Sequence, residues 1–564
     1  MSKTVATVLV DALEKAGVQQ VFGLIGDSLN PFADAIRASS IEWVGVRHEE
    51  GAALAAAGAA KLTGRLGVCA GTTGPGSTHL VAGLYEAARD HAPVLALSGD
   101  MPLRLQGTDF IQTTKPDLLF RDVSLYTETL TSPESAPTLI HQAIAASYAG
   151  RGVSHLTLPQ DVLSTKITHA VNSLESLKPR TEFVANEADI NSLVDAIDQY
   201  NNIVIMCGAG CQGLAEQLRQ LSDHLKAPLI HSVKGKDIMA FDDPRWMGGI
   251  GMIGTRPVYH AVMDCDLFIM IGTDYPYSEY LPTKGKVIQI DDRLEVLGRR
   301  AATMLGVHGS AGPTLKALLS RVKAKTDDSF FKKVTIERNQ WDEMLTKQAD
   351  LARSKDHIHP QAVARLVGDL AKRDATFVFD TGLNTLWSAN WIRQTGAQRI
   401  IGSFNNAAVG TAVAQANGIQ ALDRTKQVIA LCGDGGFNML MSEFMTAVHH
   451  KLPIKVIIYN NSAFGLITLE AESIGLAPFK EAIAFPNPDF AAFARACGGY
   501  GFTAKEPKDL KAAIEKALAV DGPAIVDAVV LANEIPNVPH LDAKILENMA
   551  TAKIKEAIRF ALGS

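Results

Sequence analysis

The stretch Val428-Ile-Ala-Leu-Cys-Gly-Asp-Gly-Gly436, followed by Ile458-Tyr-Asn-Asn-Ser462, decides how this chain is read. An apolar run ending in Gly-Asp-Gly-Gly predicts a buried strand that turns sharply into a helix. Gly433, Gly435 and Gly436 permit close backbone approach to a ligand, and Asp434 offers a hard oxygen. The turn and the helix behind it make an anion cradle. Asn461 follows Asp434 by 461 − 434 = 27 residues, the length of one helix and one strand. It therefore falls at the end of a neighbouring parallel strand and serves the same crevice. Magnesium takes near-octahedral oxygen coordination from few protein groups, waters and phosphates. The Asp434 carboxylate, the Asn461 amide oxygen and a main-chain carbonyl near Ala463 meet that demand together with a diphosphate.

A second informative segment lies upstream. Glu42 to Val46 reads as a strand and runs through Arg47-His-Glu-Glu50 into the small-residue helix Gly51-Ala-Ala-Leu-Ala-Ala-Ala-Gly58. A carboxylate at a strand end backed by small residues is poised to enter a crevice. The residues alone also allow a surface acid that favours the helix start.

Between and around these segments, short apolar runs alternate with helix-prone runs. Strands are expected at Gln20 to Leu24, Leu66 to Ala70, Val94 to Ser98, Val153 to Leu158, Ile203 to Cys207, Leu229 to Ser232, Leu267 to Ile271, Val287 to Ile290, Thr376 to Asp380, Lys455 to Tyr459 and Ala524 to Val530. Helices include Ala407 to Gly418 and Met441 to His449. Repeated strand-helix order predicts an α/β protein. A chain of 564 residues suits three consecutive domains, each a mostly parallel sheet flanked by helices: 1–178, 190–323 and 356–537, with a helical linker 324–355 and a tail 538–564.

The balance of 54 basic and 60 acidic side chains gives no electrostatic reason for a nucleic-acid partner. The six cysteines lack the repeated short spacings of a zinc site, and Cys207 and Cys211 flank a turn after a strand. Met1 to Gly17 lacks the basic and apolar regions of a secretory leader, and no stretch has a membrane helix's apolar length. A cytoplasmic enzyme without stable membrane association is expected.

The motif from Val428 to Ser462 resembles the diphosphate-binding pattern of thiamin-diphosphate enzymes. With Gly23-Leu-Ile-Gly-Asp-Ser-Leu-Asn30, Arg47-His-Glu-Glu50, Gly71-Thr-Thr-Gly-Pro-Gly-Ser77, Gly272-Thr-Asp-Tyr-Pro-Tyr277, Val287-Ile-Gln-Ile-Asp291 and Gly402-Ser-Phe-Asn405, the chain is similar to the pyruvate oxidase group, including pyruvate:quinone oxidoreductase, of the acetolactate synthase-like superfamily. The resemblance implies a pyrimidine-binding first domain, an FAD-binding central domain and a diphosphate- and Mg2+-binding third domain. It implies that Glu49 contacts the aminopyrimidine and that a homodimer or homotetramer brings the first and third domains together. Cofactor contacts are implied for Gly26, Ala407, Ala408, Val409, Ser462, Ala463, Phe464, Gly465, Leu466 and Ile467, with Val409 at the position that props the cofactor bend. Gly26, Ser28, Gln112, Leu466 and Glu470 are expected to face substrate, Gln112 as a donor to an anion and Glu470 in proton handling.

In the central domain the same resemblance places an extended dinucleotide along three turns: Gly208 and Gly210; Gly254, Thr255 and Arg256; and Gly272, Thr273, Asp274, Tyr275 and Pro276. Asp291, Asp292 and Arg293 follow, with an aspartate near ribose or adenine and Arg256 as an anion partner. A folded domain that keeps the glycines without flavin is the other reading. The expected reaction is oxidative decarboxylation of pyruvate or a close 2-oxo acid, with electrons passing to FAD and release of acetate or acetyl phosphate. Ile111 and Leu466 stand where such oxidases place Phe, which favours the alternative of a non-oxidative decarboxylase or carboligase. The closing helix Ala552 to Leu562 is expected to dock through Ile554, Ile558 and Leu562, with Lys553, Glu556 and Arg559 outward.

Overall fold

Three parallel sheets carry the chain, and in each the central strands are continuous apolar runs buried on both faces, as parallel sheets covered by helices require. The computed structural model describes residues 2–171, 173–174, 177, 182–540 and 543–562, with backbone alone for 543 and 557–562. The boundary expected at residue 178 lies outside the described residues.

The first sheet contains β1 (Gln20–Gly23), β2 (Glu42–Gly45), β3 (Gly67–Gly71), β4 (Val94–Asp100), β5 (Tyr126–Thr129) and β6 (Val153–Pro159). Their spatial order is β2-β1-β3-β4-β6-β5, all parallel. The second contains β7 (Ile203–Cys207), β8 (Leu229–His231), β9 (Trp246–Gly249), β10 (Leu267–Ile271), β11 (Lys286–Asp291) and β12 (Thr303–His308), in the order β9-β8-β7-β10-β11-β12. This is the doubly wound arrangement with its switch point between β7 and β10. The third contains β13 (Thr376–Phe379), β14 (Arg399–Gly402), β15 (Val428–Gly433), β16 (Lys455–Asn460), β17 (Tyr500–Ala504) and β18 (Ala524–Val529). Its order, β14-β13-β15-β16-β18-β17, repeats that of the first sheet strand for strand.

Strands β5, β9, β12, β14 and β17 escape the sequence reading, and all five are sheet edges. Edge strands are short and partly exposed, so neither an apolar run nor a clean alternation marks them. The linker is the helix Ser329–Gln348, which buries Val334, Trp341 and Leu345. The helix expected from Ala407 begins instead at Ala412, because Ala407 (φ 55) and Gly410 (φ 89) adopt left-handed backbone. The final helix starts earlier than expected, at Ala543, and packs on Gly465–Ser473. Its docking face also differs from the expectation. Ile554 is 61% exposed and Ala552 is buried, while Lys553 is exposed, as expected, and pairs with the buried Glu472 at 2.5 Å. Glu556 pairs with Lys480 at 2.6 Å, whereas the side chains of Ile558, Arg559 and Leu562 lie outside the described residues.

The first and third domains share one core. The helix Glu49–Thr63 crosses Ala412–Leu422, and glycines make the crossing close: a Cβ on Gly58 would sit 2.7 Å from the Gln415 carbonyl oxygen, and one on Gly418 would overlap the Ala55 carbonyl. Gly418→Val should therefore lower stability by about 1–3 kcal/mol or more through overpacking. Thermal denaturation should report an earlier onset for this variant than for Gly64→Ala, where a Cβ meets nothing within 4 Å and only backbone strain is added.

Candidate active site

The carboxyl ends of β13, β15 and β16 deliver three loops to one cleft of about 270 Å3: Asp380 to Asn384, Gly433 to Gly436, and Asn461 to Gly465. Asp434 opens the helix Asp434–Met439 and is 1% exposed. Its Oδ2 accepts from the Ser462 amide (2.5 Å) and from Asn487 Nδ2 (2.7 Å), and its Oδ1 accepts from the Gly435 amide (2.9 Å). Burial pushes the Asp434 carboxyl above the usual carboxylate range, against these donors. The Asn461 amide oxygen lies 2.8 Å from the Ala463 carbonyl oxygen and 3.1 Å from Asp434 Oδ1. Three acceptors thus face one another. Rotating the amide would let its NH2 donate to both; otherwise a cation satisfies all three, and a hard divalent ion suits this oxygen set. These are the three metal ligands expected from the sequence, and the residues fit the ion and a diphosphate beside it.

The glycines of this turn answer to packing as well as to ligand approach. A Cβ on Gly436 would collide with Asp380 Oδ2, and one on Gly435 with the Phe464 ring. Ala407 and Val409 line the cleft, as do Phe464, Leu466, Ile467 and Glu470. The 407–411 loop is tied down twice. Ser403 Oγ accepts from the Ala408 amide (2.8 Å), and Asp380 Oδ1 accepts from the Gly410 (2.8 Å) and Thr411 (3.1 Å) amides. Ala407 (φ 55), Ser462 (φ 55) and Gln112 (φ 63) are non-glycine residues in the left-handed region, a strain that concentrates at working loops.

Several residues of this site escape the sequence reading. Asp380-Thr-Gly-Leu-Asn384 follows an apolar strand and begins with an acid-glycine turn, the same kind of signal that marks Asp434. Asn487 carries no such signal, since it reaches Asp434 from a loop 53 residues further on. Asp380 is fully enclosed, and burial raises its carboxyl to about 7 despite three backbone donors, while Oδ2 has no hydrogen-bond partner among the described residues.

Glu49 begins its helix at the end of the first-domain crevice and is 7% exposed. Its Oε2 lies 2.9 Å from His79 Nδ1, and His79 stacks on His48 with ring centroids 4.5 Å apart. Nearby, Gly26 packs its Cα against Thr72, Ser28 Oγ lies 2.9 Å from Thr72 Oγ1, and the Gln112 carbonyl accepts from Thr73 Oγ1 at 3.4 Å. The expected substrate-facing set is therefore divided within one chain. Gly26, Ser28 and Gln112 gather with Glu49's domain, whereas the lining of the third-domain cleft, including Leu466 and Glu470, comes wholly from residues 360–534. Across the domain junction, the buried Glu443 accepts from the Arg47 and His48 amides, both at 3.0 Å.

In the central domain the glycines meet each other. A Cβ on Gly210 would sit 2.7 Å from the Gly272 Cα, the Gly210 amide donates to the Gly272 carbonyl (3.0 Å), and Gly208 is equally close to Gly272 and Thr273. Gly254 packs against the Gly249 carbonyl, and Thr255 stands at the next helix start without a side-chain capping bond. These turns therefore also answer to packing between loops. Asp292 is engaged bidentately by Arg151 (3.1 and 2.8 Å), and Asp274 is held between Arg299 and Arg300. Arg256 is exposed with its guanidinium 5.4 Å from the Trp341 ring, Tyr275 is buried and Pro276 exposed. Asp291, raised by burial, accepts from the Arg293 amide at 3.0 Å.

Asp434→Ala and Asn461→Ala should each weaken magnesium binding at least tenfold, measured by titration calorimetry in the presence of diphosphate, because each removes one of few protein ligands. A second expectation concerns pH. An acid whose folded pKa is raised holds its proton better folded than unfolded, so its contribution is present below the unfolded value and lost as pH rises through about 7 for Asp380. Asp380→Asn should flatten the loss of thermal stability between about pH 4 and pH 7.

Three family models match in sequence: the N-terminal thiamine pyrophosphate-binding domain over residues 3–119, the central domain over 190–318 and the C-terminal thiamine pyrophosphate-binding domain over 380–528. The chain is 34% identical to the putative thiamine pyrophosphate-containing protein YdaP of Bacillus subtilis, over 95% of this chain and 92% of that protein. It is 30% identical to the pyruvate oxidase of Lactiplantibacillus plantarum over 93% and 88%, and 28% identical to the probable acetolactate synthase large subunit of Methanocaldococcus jannaschii over 95% and 93%. Acetolactate synthases recur among the relatives, from archaeal, plant and bacterial sources. A strand-end acid in the first sheet, a metal-ready oxygen triad in the third and these full-length matches make the chain a thiamin-diphosphate-dependent enzyme of the acetolactate synthase and pyruvate oxidase superfamily.

Proposed function

We propose that the enzyme decarboxylates a small 2-oxo acid such as pyruvate, with magnesium and thiamin diphosphate, and joins the remaining fragment to a second carbonyl compound. The observation that carries this reading is the convergence of the Asp434, Asn461 and Ala463 oxygens at adjacent strand ends. Asp434 and Asn461 would hold the metal, and the Gly433 to Gly436 turn the diphosphate. Bound thiamin diphosphate supplies a carbon nucleophile and an electron sink. Glu49, oriented by His79, moves a proton at the pyrimidine end. Val409, Leu466 and Ile467 exclude water, and Glu470 handles protons at the substrate. Because Glu49 and the third-domain cleft are separate within one chain, the reading calls for a homodimer in which each first domain completes the partner's cleft.

The carboligase branch rests on the acetolactate synthase relatives, on the aliphatic Ile111 and Leu466, and on central-domain glycines committed to protein contacts. Incubation with pyruvate alone should yield acetolactate, identified by mass spectrometry; acetate as the sole product would exclude this branch. Glu49→Gln should lower turnover by roughly a hundredfold or more, the scale of losing one positioned proton-transfer group. The oxidative branch has one observation in its favour, the doubly wound order of the central sheet, which suits FAD across the β7/β10 switch point. Under that reading, pyruvate added without oxygen bleaches a bound flavin spectrum.

A further inference from the structure

A second cleft, of about 550 Å3, lies where the central domain, the linker helix and the third domain meet. It shares no lining residue with the catalytic cleft. Its walls bring together Ala240 to Asp242, Arg338 and Asp342 of the linker helix, and Arg373 with Arg393 to Thr395. The junction is firmly built: the Phe241 amide donates to the Gln394 carbonyl (2.9 Å), and Ala240 bridges Thr395 in antiparallel fashion.

The charges within it are only partly answered. Arg338 pairs with Asp342 at 2.9 Å and donates to the Phe241 carbonyl at 2.6 Å. The Arg393 guanidinium lies 4.8 Å from the centre of the Phe241 ring and donates to Thr346 Oγ1 at 2.8 Å. Among the described residues neither Arg393 nor the exposed Arg373 forms an ion pair. Burial, then the nearby Arg365, pushes the Arg393 guanidinium below its usual range, although Asp342 and Asp369 pull the other way. A fixed, half-buried guanidinium crowded by like charge is stabilised by an incoming anion, and arginine forks match phosphate oxygens. The Phe241 ring, between Arg338 (5.4 Å) and Arg393 (4.8 Å), holds both in place. We propose that this cleft binds a small anion bearing two or more phosphates, gripped by Arg373 and Arg393 of the third domain where it meets the central domain and the linker helix.

The test is equilibrium dialysis on the holoenzyme, with thiamin diphosphate saturating its own site and magnesium in excess. Sodium tripolyphosphate, ATP and adenosine are the three probes. One additional site per chain is expected for tripolyphosphate, weakening with added salt and lost roughly tenfold or more in Arg393→Ala. Arg373→Glu, at an exposed position, should do the same without disturbing the fold. Equal affinity for tripolyphosphate and ATP assigns recognition to the phosphate chain, and tighter ATP adds a contact to the nucleoside; both support the site. No binding of either phosphate probe, binding undiminished in both variants, or adenosine binding as tightly as ATP would overturn it.

Discussion

The close crossing of Glu49–Thr63 over Ala412–Leu422 is the contact on which the arrangement of the chemistry depends. Gly58 and Gly418 let each helix ride against the other's backbone carbonyls, at the cost of the backbone entropy glycine brings. The first helix carries Glu49 at its start, and the second follows directly on the loop bearing Val409. One packing decision therefore places an acid in one domain and a cofactor-facing loop in the other. Their relation cannot drift without opening a shared core.

Around that contact the molecule uses one topology for two tasks. The first and third sheets have the same strand order, and in both the working residues sit at the carboxyl ends of the strands. What differs is loop chemistry: glycines, an enclosed Asp434 and amide side chains in the third domain, a histidine-supported Glu49 in the first. The central sheet follows another order and holds its neighbours through ion pairs such as Arg151 with Asp292 and Lys234 with Asp90.

Much of this was legible before any coordinates. Buried parallel strands announce themselves as apolar runs, so twelve central strands and β2 were readable, while the five other edge strands were not. The convergence of the Asp434, Asn461 and Ala463 oxygens is readable because a strand-turn-helix unit sets the spacing of Asp434 and Asn461. Asn487 and Glu443 are not, because they act on residues distant in sequence through contacts that no local pattern encodes. The central-domain glycines carry an ambiguous signal: close backbone approach is a requirement that a ligand and a neighbouring loop impose alike, and here Gly210 meets Gly272.

Glu443 also ties the third domain to the first. Its carboxyl group is wholly enclosed: Thr446 of its own helix satisfies Oε2, and Oε1 depends on the Arg47 and His48 amides of another domain. The chain is thus no string of exchangeable modules, despite its repeated topology. A chimera taking its first domain from a relative keeps the enclosed Glu443, and it remains whole only if the donor's backbone ahead of its counterpart of Glu49 turns its amides to the same spot.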